Sequence, residues 1–330
     1  YEDEASTSYV VDSWYKKSLW LYLLYPFALI FSYLTTRRRR KYIKNINESY
    51  KADVPIIVVG NLTIGGTGKT PLVKHIAIEL IERGYKPGIV SRGYGGKFKE
   101  TLQVKEDSSV KETGDEAQIL AKLNLPFYLD KNRVRAVKTL IKNHDCDVII
   151  SDDGLQHYSM ARDIEIAVID GKRRFGNNLT FPAGPLRESI KRLKSVDFIV
   201  NNSGPTEEDE FLMSVSPSKF VHLKSGKSYS VDNWPMHKQI HAVAGLGNPG
   251  RFFDLLEKLG FEIIRHPFPD HHNFTSSDMF YLDHLPIVMT EKDASKCKDL
   301  DINKIWYLTI DADVSNKFID KLDNKLKSLN

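Results

Sequence analysis

The sequence predicts an α/β protein in which a parallel sheet covered by helices is followed, across short linker strands, by a smaller α/β lobe. Three observations lead there. Short apolar runs alternate with helix-period segments from Val54 onward, a glycine-rich turn at 63–70 joins the first such run to a helix, and the alternation stops at a polar stretch near 201–210 before resuming at Ile240. Strands that alternate with helices are joined in parallel and buried on both faces, which suits their Val/Ile-rich character.

The 330 residues suffice for two domains, and 41% hydrophobic with 27% charged residues is a globular composition, not a disordered one. The formal charge is only +4, but Arg37, Arg38, Arg39, Arg40 and Lys41 concentrate it in one run. That run follows the apolar stretch LWLYLLYPFALIFSYL at 19–34, with Lys16 and Lys17 before it. The stretch is shorter than the roughly 20 residues of a bilayer-spanning helix, and Pro26 is expected to interrupt it. No small-residue cleavage site follows, and Trp14, Tyr15, Trp20, Tyr22, Tyr25 and Tyr33 suit a headgroup region. Residues 1–50 are therefore read as an amphipathic membrane-docking segment whose basic end favours anionic lipid over nucleic acid; a buried core helix is the competing reading. The chain opens on Tyr1 rather than methionine, which leaves the completeness of its N-terminus open. Cys146 and Cys297 have no disulfide or metal spacing, as in a reduced compartment.

Strands are expected at 55–60, 87–91, 147–151, 164–169 and 197–200, with helices at 70–83, 114–123 and 131–143. Linker strands at 220–223 and 228–231 precede a second alternation: strands at 240–244, 263–266, 287–289 and 305–308, with a helix near 248–259. The predicted division is 51–220 for the first lobe and 221–330 for the second.

The strand PIIVVGN runs into Thr63, Ile64, Gly65, Gly66, Thr67, Gly68, Lys69 and Thr70 at the start of a helix, which is a phosphate-binding loop in its proper setting. Its backbone N–H groups and the helix N-terminus would close on phosphates, Lys69 would neutralise them, and the Thr70 hydroxyl would hold Mg²⁺. Thr63 replaces the usual first glycine, which is tolerable at negative φ. A second strand ends in Asp152 and Asp153, where a carboxylate would approach the same cation; the bland alternative is a strand-ending turn.

A phosphate-binding loop alone does not separate a kinase from a GTPase or a motor; a kinase also needs a base for its acceptor. The sequence offers Asp115 in Gly-Asp-Glu and His271 in Pro-Asp-His-His, although on residue chemistry alone these are equally an N-cap and a loop histidine. Arg92, Arg133 and Arg187 are candidates for substrate or phosphate. The Gly245–Gly250 pattern GLGNPG matches a dinucleotide fingerprint weakly, and a tight βα turn is the better reading. The histidines at 266, 271 and 272 lack a further ligand at zinc spacing.

The blocks VGNLTIGGTGKTP, SRGYGG, GDEA, DDGLQH, VIDGKRRFGNN, PAGPLRE, AGLGNPGRFF, FPDHHNF and MTEKDA, in this order, make the chain resemble the tetraacyldisaccharide 4′-kinase family. The resemblance runs from about Trp20 to Ala294. It implies a P-loop NTPase-like lobe and a second α/β lobe with the active site between them. It also implies ATP and Mg²⁺ as cofactors and phosphorylation of a membrane glycolipid, tetraacyldisaccharide 1-phosphate, at the cytoplasmic face of the inner membrane. It assigns Asp115, paired with His271, as base, places Asp152, Asp153 and Glu188 near the metal, and implies substrate contacts from Arg92, Tyr94, Arg133, Gln156, His157 and Arg187. Ala117 and Ser189 stand where the family often has proline. No nucleic-acid partner or obligate protein partner is inferred. A membrane-bound switch ATPase with a similar loop is the rival, but it usually carries a lysine where this chain has Ile64; a soluble metabolite kinase would have no use for the N-terminal anchor.

Overall fold

In a computed structural model describing residues 10–16, 18–45, 48–246, 249–269 and 272–329, the two expected sheets are one. Its first half contains β1 (Ile56–Gly60), β2 (Pro87–Ser91), β3 (Leu102–Gln103), β4 (Phe127–Leu129), β5 (Val148–Asp152), β6 (Ile164–Asp170) and β7 (Phe198–Asn202). The second half contains β8 (Glu210–His222), β9 (Ser228–Ser230), β10 (Gln239–Ala244), β11 (Glu262–Pro267), β12 (Ile287–Thr290) and β13 (Ile305–Val314). The order is β11-β10-β12-β13-β8-β7-β6-β1-β5-β2-β4-β3, with β9 beside β8. β1, β5 and β6 are buried at every position, as expected of central parallel strands covered on both faces.

The helices are α1 (Tyr25–Lys44), α2 (Lys69–Glu82), the single turn α3 (Val110–Thr113), α4 (Asp115–Ala121), α5 (Arg133–Asn143), α6 (Gly250–Lys258), α7 (Glu291–Ser295) and α8 (Asn316–Lys327). On one face of the first half, Leu72, Ile76 and Leu80 of α2 pack over Ile57, Val59 and Ile150. On the other, Ala136, Val137 and Leu140 of α5 cover Ile56, Val58 and Ile149.

The boundary expected at 220/221 falls inside β8. Residues 210–213 of that strand pair in parallel with β7, and the remainder runs antiparallel to β13 and β9. A single strand thus belongs to both halves. The chain also returns: Phe318, Ile319, Leu322 and Leu326 of α8 lie in the same core as α2 and Phe198. Arg83, at the end of α2, pairs with Asp320 at 2.7 Å and Asp323 at 3.1 Å. Chain order stops predicting spatial order once β13 pairs antiparallel with β8, because that pairing carries its C-terminal end back toward the first half.

Pro26 does not break the N-terminal helix. A 3₁₀ turn (Leu19–Leu24) leads into α1, and Pro26 sits in the first helical turn, where its missing N–H costs nothing. The combined segment Leu19–Lys44 is 26 residues, long and apolar enough to cross a membrane by length and composition. One stripe of it, at 21, 24, 28, 31, 35, 39 and 42, faces the protein at helical spacing. Ala28 O accepts from Thr180 Oγ1 at 2.9 Å, Phe31 packs edge-on to Phe181, Arg39 donates to Ser195 Oγ at 2.7 Å and Tyr42 stacks on Tyr158. Leu19, Tyr22, Leu23, Phe27, Ile30, Tyr33 and Leu34 are left exposed.

Because α8 is part of the first half's core, Phe318→Ala is expected to destabilise the protein by about 3–5 kcal/mol, the usual cost of emptying a fully buried phenylalanine site. Urea unfolding checks this, and a midpoint like the wild type's would place α8 outside the cooperative core.

Candidate active site

β1 and β5 are neighbours, with Val59 opposite Asp152, so the loop leaving β1 and the turn leaving β5 meet at one end of the sheet. The loop is pinned from beneath. Asn61 Nδ2 donates to Thr63 O at 2.9 Å and Gly65 O at 3.2 Å, Asn202 Nδ2 donates to Thr67 O at 3.0 Å, and Ile64 N donates to Pro185 O at 2.7 Å. Gly68 has φ of 90°, and a Cβ there would lie 2.5 Å from Asn202 Nδ2, so glycine is required for both reasons. Thr63 keeps a negative φ, which is why a side chain is tolerated at this position. At Gly65 and Gly66 a Cβ would meet nothing within 4 Å, so the loop is not packed against protein there.

Lys69 Nζ lies 3.3 Å from Asn61 Oδ1 and 3.6 Å from Asp153 Oδ1. Arg187 Nη1 donates to both oxygens of Asp153, at 3.0 and 3.2 Å. Burial alone would raise the Asp153 pKa, but Lys69 and Arg187 outweigh it and hold the carboxyl below its usual value. Asp153 also adopts a left-handed φ of 49°, a conformation Asp accepts more readily than most residues. Asp152 differs. Burial first, then the charge of Glu116, push it up to about 7, and its Oδ1 is buried without a hydrogen-bond partner. A buried acceptor with a raised pKa, next to an ionised carboxylate and the phosphate loop, is a setting that a divalent cation corrects.

Other expected site residues fall differently. Arg133, only 2% exposed, donates to Asp130 O at 2.7 Å and Asp152 O at 3.4 Å. It braces the back of the strand end instead of facing a substrate, and burial lowers its pKa to about 10. Glu188 accepts the Tyr158 hydroxyl at 2.5 Å and lies 3.8 Å from Arg192. Its other oxygen, Oε2, is buried without a hydrogen-bond partner, and among the described residues no three of His, Cys, Asp or Glu converge as metal ligands. Gln156 Nε2 reaches back to Asn61 O at 3.1 Å. His157 is held near pKa 4 by burial and then by Arg133, Arg162, Arg38 and Arg92, which marks a strongly positive neighbourhood. Arg92 and Tyr94 lie exposed on the loop after β2.

Asp115 opens α4 immediately after Gly114, whose φ of 84° and ψ of 162° are reserved for glycine. A Cβ on Gly114 would run into Tyr94 O, and one on Gly96 into Glu112 O. The SRGYGG and GDE segments are therefore fitted backbone to backbone. From the second half of the sheet, Lys296 and Lys292 approach Asp115 Oδ2 at 3.6 and 3.9 Å. His271, the expected partner of Asp115, lies outside the described residues, as does Asp270. The flanking chain is placed: Pro269 O comes within 3.2 Å of a Cβ built on Gly245, and Phe274 packs beneath Lys296. Sequence reasoning missed Asn61 and Asn202 as loop supports and Glu116 as a neighbour of Asp152. For Asn61 the signal was its place between strand and loop; Asn202 is distant in sequence and carried none.

A cavity of about 500 Å³ opens beside Gly66 and Gly68, lined by Asp170, Lys172, Asn202, Arg251 and Asp254 among others. It lies at the ends of β6 and β7, on the side of the loop away from Asp152.

The family model described as tetraacyldisaccharide-1-P 4′-kinase matches residues 20–327. A tetraacyldisaccharide 4′-kinase of Ruthia magnifica is 47% identical over 307 residues, 92% of this chain and 97% of that protein. One from Methylobacillus flagellatus is 42% identical, covering 96% and 95%, and one from Pseudomonas syringae pv. syringae is 41% identical, covering 98% and 99%. Among solved structures, LpxK from Aquifex aeolicus in complex with ATP superposes with a TM-score of 0.81 at 27% identity, covering 93% of this chain and 100% of that one.

Two expectations follow from the site geometry. Gly114→Ala should lower turnover by tenfold or more, because the strain of roughly 1–3 kcal/mol and the clash with Tyr94 O displace Asp115; steady-state kinetics at saturating substrates read this out. The His157 imidazole should stay neutral above pH 5 in histidine NMR titrations. The linkage sign is that of a depressed histidine: its stabilising contribution is full above the ordinary value of 6.5 and is lost as pH falls toward 4.

Proposed function

The chain belongs to the tetraacyldisaccharide-1-P 4′-kinase family, and from that membership we infer that it is an ATP-dependent kinase that phosphorylates the 4′-hydroxyl of tetraacyldisaccharide 1-phosphate, giving lipid IV-A in lipid A biosynthesis. The observation that carries this reading is the meeting of Lys69, Asp152 and Asp153 at one sheet end with Asp115 close to the lysines of α7. The loop and the aspartate pair serve a nucleotide; the carboxylate between the halves serves an acceptor. The switch-ATPase alternative is set aside, since the relatives named above are all kinases of this substrate and Ile64 stands where the switch lysine belongs.

The phosphates of ATP would lie against the backbone N–H groups of the 63–70 loop, with Lys69 against the β- and γ-phosphates. The cavity beside Gly66 and Gly68 suits the nucleoside: with the metal-side aspartates on β5, one neighbour of β1, the free room is on the other neighbour, β6, and on β7. Thr70, Asp152 and Asp153 fit Mg²⁺, which when bound supplies positive charge to the phosphate oxygens. Asp115, with His271, takes the proton of the 4′-hydroxyl as its oxygen attacks the γ-phosphorus in line. The bond from that phosphorus to the β–γ bridging oxygen breaks, ADP leaves, and Lys69 stabilises the charge that develops.

α1 lies along the first half of the protein for its whole length, so it rests on a membrane and does not cross one. Its exposed apolar face enters the headgroup boundary, and Arg37, Arg38 and Arg40 meet anionic lipid of the cytoplasmic leaflet of the inner membrane. Arg38, Arg92 and Arg187 put positive charge on the side from which an anionic glycolipid headgroup arrives.

The test is transfer of γ-labelled phosphate to tetraacyldisaccharide 1-phosphate in mixed micelles. Asp115→Ala should lose roughly 10²–10⁴ in kcat with ATP binding little changed, and Lys69→Ala should lose on the order of 10²–10³. ATP hydrolysis stimulated by bare membranes, without labelled lipid, would sink the kinase reading. Deleting residues 1–44 should abolish flotation of the protein with anionic vesicles; flotation that survives the deletion refutes the docking role of α1.

A further inference from the structure

α7 is a short helix with an unusual charge arrangement. Asp293 is fully buried; its Oδ2 accepts Gly245 N at 3.0 Å and Thr290 Oγ1 at 2.8 Å, and its Oδ1 faces Lys296 Nζ at 3.3 Å. Lys296 is itself nearly buried, lies over the Phe274 ring at 5.7 Å, and turns its ammonium to Asp115 Oδ2 at 3.6 Å. Lys292, one turn earlier, reaches the same oxygen at 3.9 Å. The helices are tied at two further points, by Lys122 to Glu291 at 2.6 Å and by Lys298 to Gln118 Oε1 at 2.9 Å. An unbroken line of charge-assisted contacts thus runs from the ends of β10 and β12 through Asp293 and Lys296 to a carboxylate of the other half.

We propose that Lys296, with Lys292 beside it, is the positioning residue for the Asp115 carboxylate. It rests on the reading of Asp115 as the base of the phosphoryl transfer. Two ammonium groups, at 3.6 and 3.9 Å from Oδ2, favour one orientation of the Asp115 side chain, and the buried Asp293 holds Lys296 in turn. A base so placed is referenced to the half of the sheet that carries α7. Neither lysine transfers a proton or touches the phosphoryl group: both act through Asp115.

The experiment is a double-mutant cycle of Lys296→Met and Asp115→Asn, read as kcat and the KM values of phosphate transfer. Lys296→Met is expected to lower kcat by roughly 10–100-fold in the wild-type background with the KM for ATP little changed, and by less than about 3-fold in the Asp115→Asn background. Lys292→Met should show a smaller loss with the same dependence, and it carries the cycle if Lys296→Met does not fold. Equal losses on both backgrounds would mean that the lysines merely hold the helices together, and would overturn the proposal. Wild-type kcat in both lysine variants overturns it as well. Wild-type turnover in Asp115→Asn alone is a separate result: it removes the base, and this proposal with it.

Discussion

Two adjacent carboxylates, Asp152 and Asp153, end a strand that is buried along its whole length, and most of what surrounds the site follows from accommodating them. An unpaired charge in such a place costs several kcal/mol, so each must be answered. Asp153 is answered by Lys69 and Arg187, which ties the phosphate loop to the PAGPLRE turn. Asp152 is answered only in part: Arg133 braces its backbone carbonyl from the buried side, Glu116 adds more negative charge, and one oxygen has no partner. The imbalance is local, at the place where a nucleotide and its cation would complete it.

The second constraint is that the surroundings of Asp115 are shared between halves of one sheet. β8 joins them in mid-strand, and α8 closes the arrangement by packing into the first core. Asp115 sits where α4 meets α7, so its position depends on the fit of Gly96 and Gly114 on one side and the charges of α7 on the other. The exposed apolar face of α1 and the arginines near His157 both lie on the first half.

Much of this was legible in the residues. Parallel strands at the predicted places follow from apolar runs too uniform for a one-sided sheet, and the phosphate loop announced itself because glycines, lysine and threonine fall between a strand and a helix. What could not be read depended on spatial order. Nothing local distinguishes an arginine that meets substrate from Arg133, which faces inward under Asp152. Glu188 follows Arg187 in the chain, yet the two side chains diverge, one to Asp153 and the other to Tyr158 and Arg192. Pro26 reads as a break in an apolar run and proves to be a helix start, because the preceding turn is 3₁₀. The return of α8 is set by one antiparallel pairing far along the chain, and the lysines of α7 gain meaning only once that pairing is known.

The claim at the centre of this account is that the aspartate pair and the phosphate loop form one nucleotide-metal site. The most direct measurement is the affinity of a non-hydrolysable ATP analogue with and without Mg²⁺, for the native protein and Asp152→Asn. The account predicts that Mg²⁺ tightens binding by about tenfold or more in the native protein, a gain of ~1.4 kcal/mol, and that the gain disappears in the variant. Binding that ignores Mg²⁺, or a gain that survives in Asp152→Asn, would contradict it.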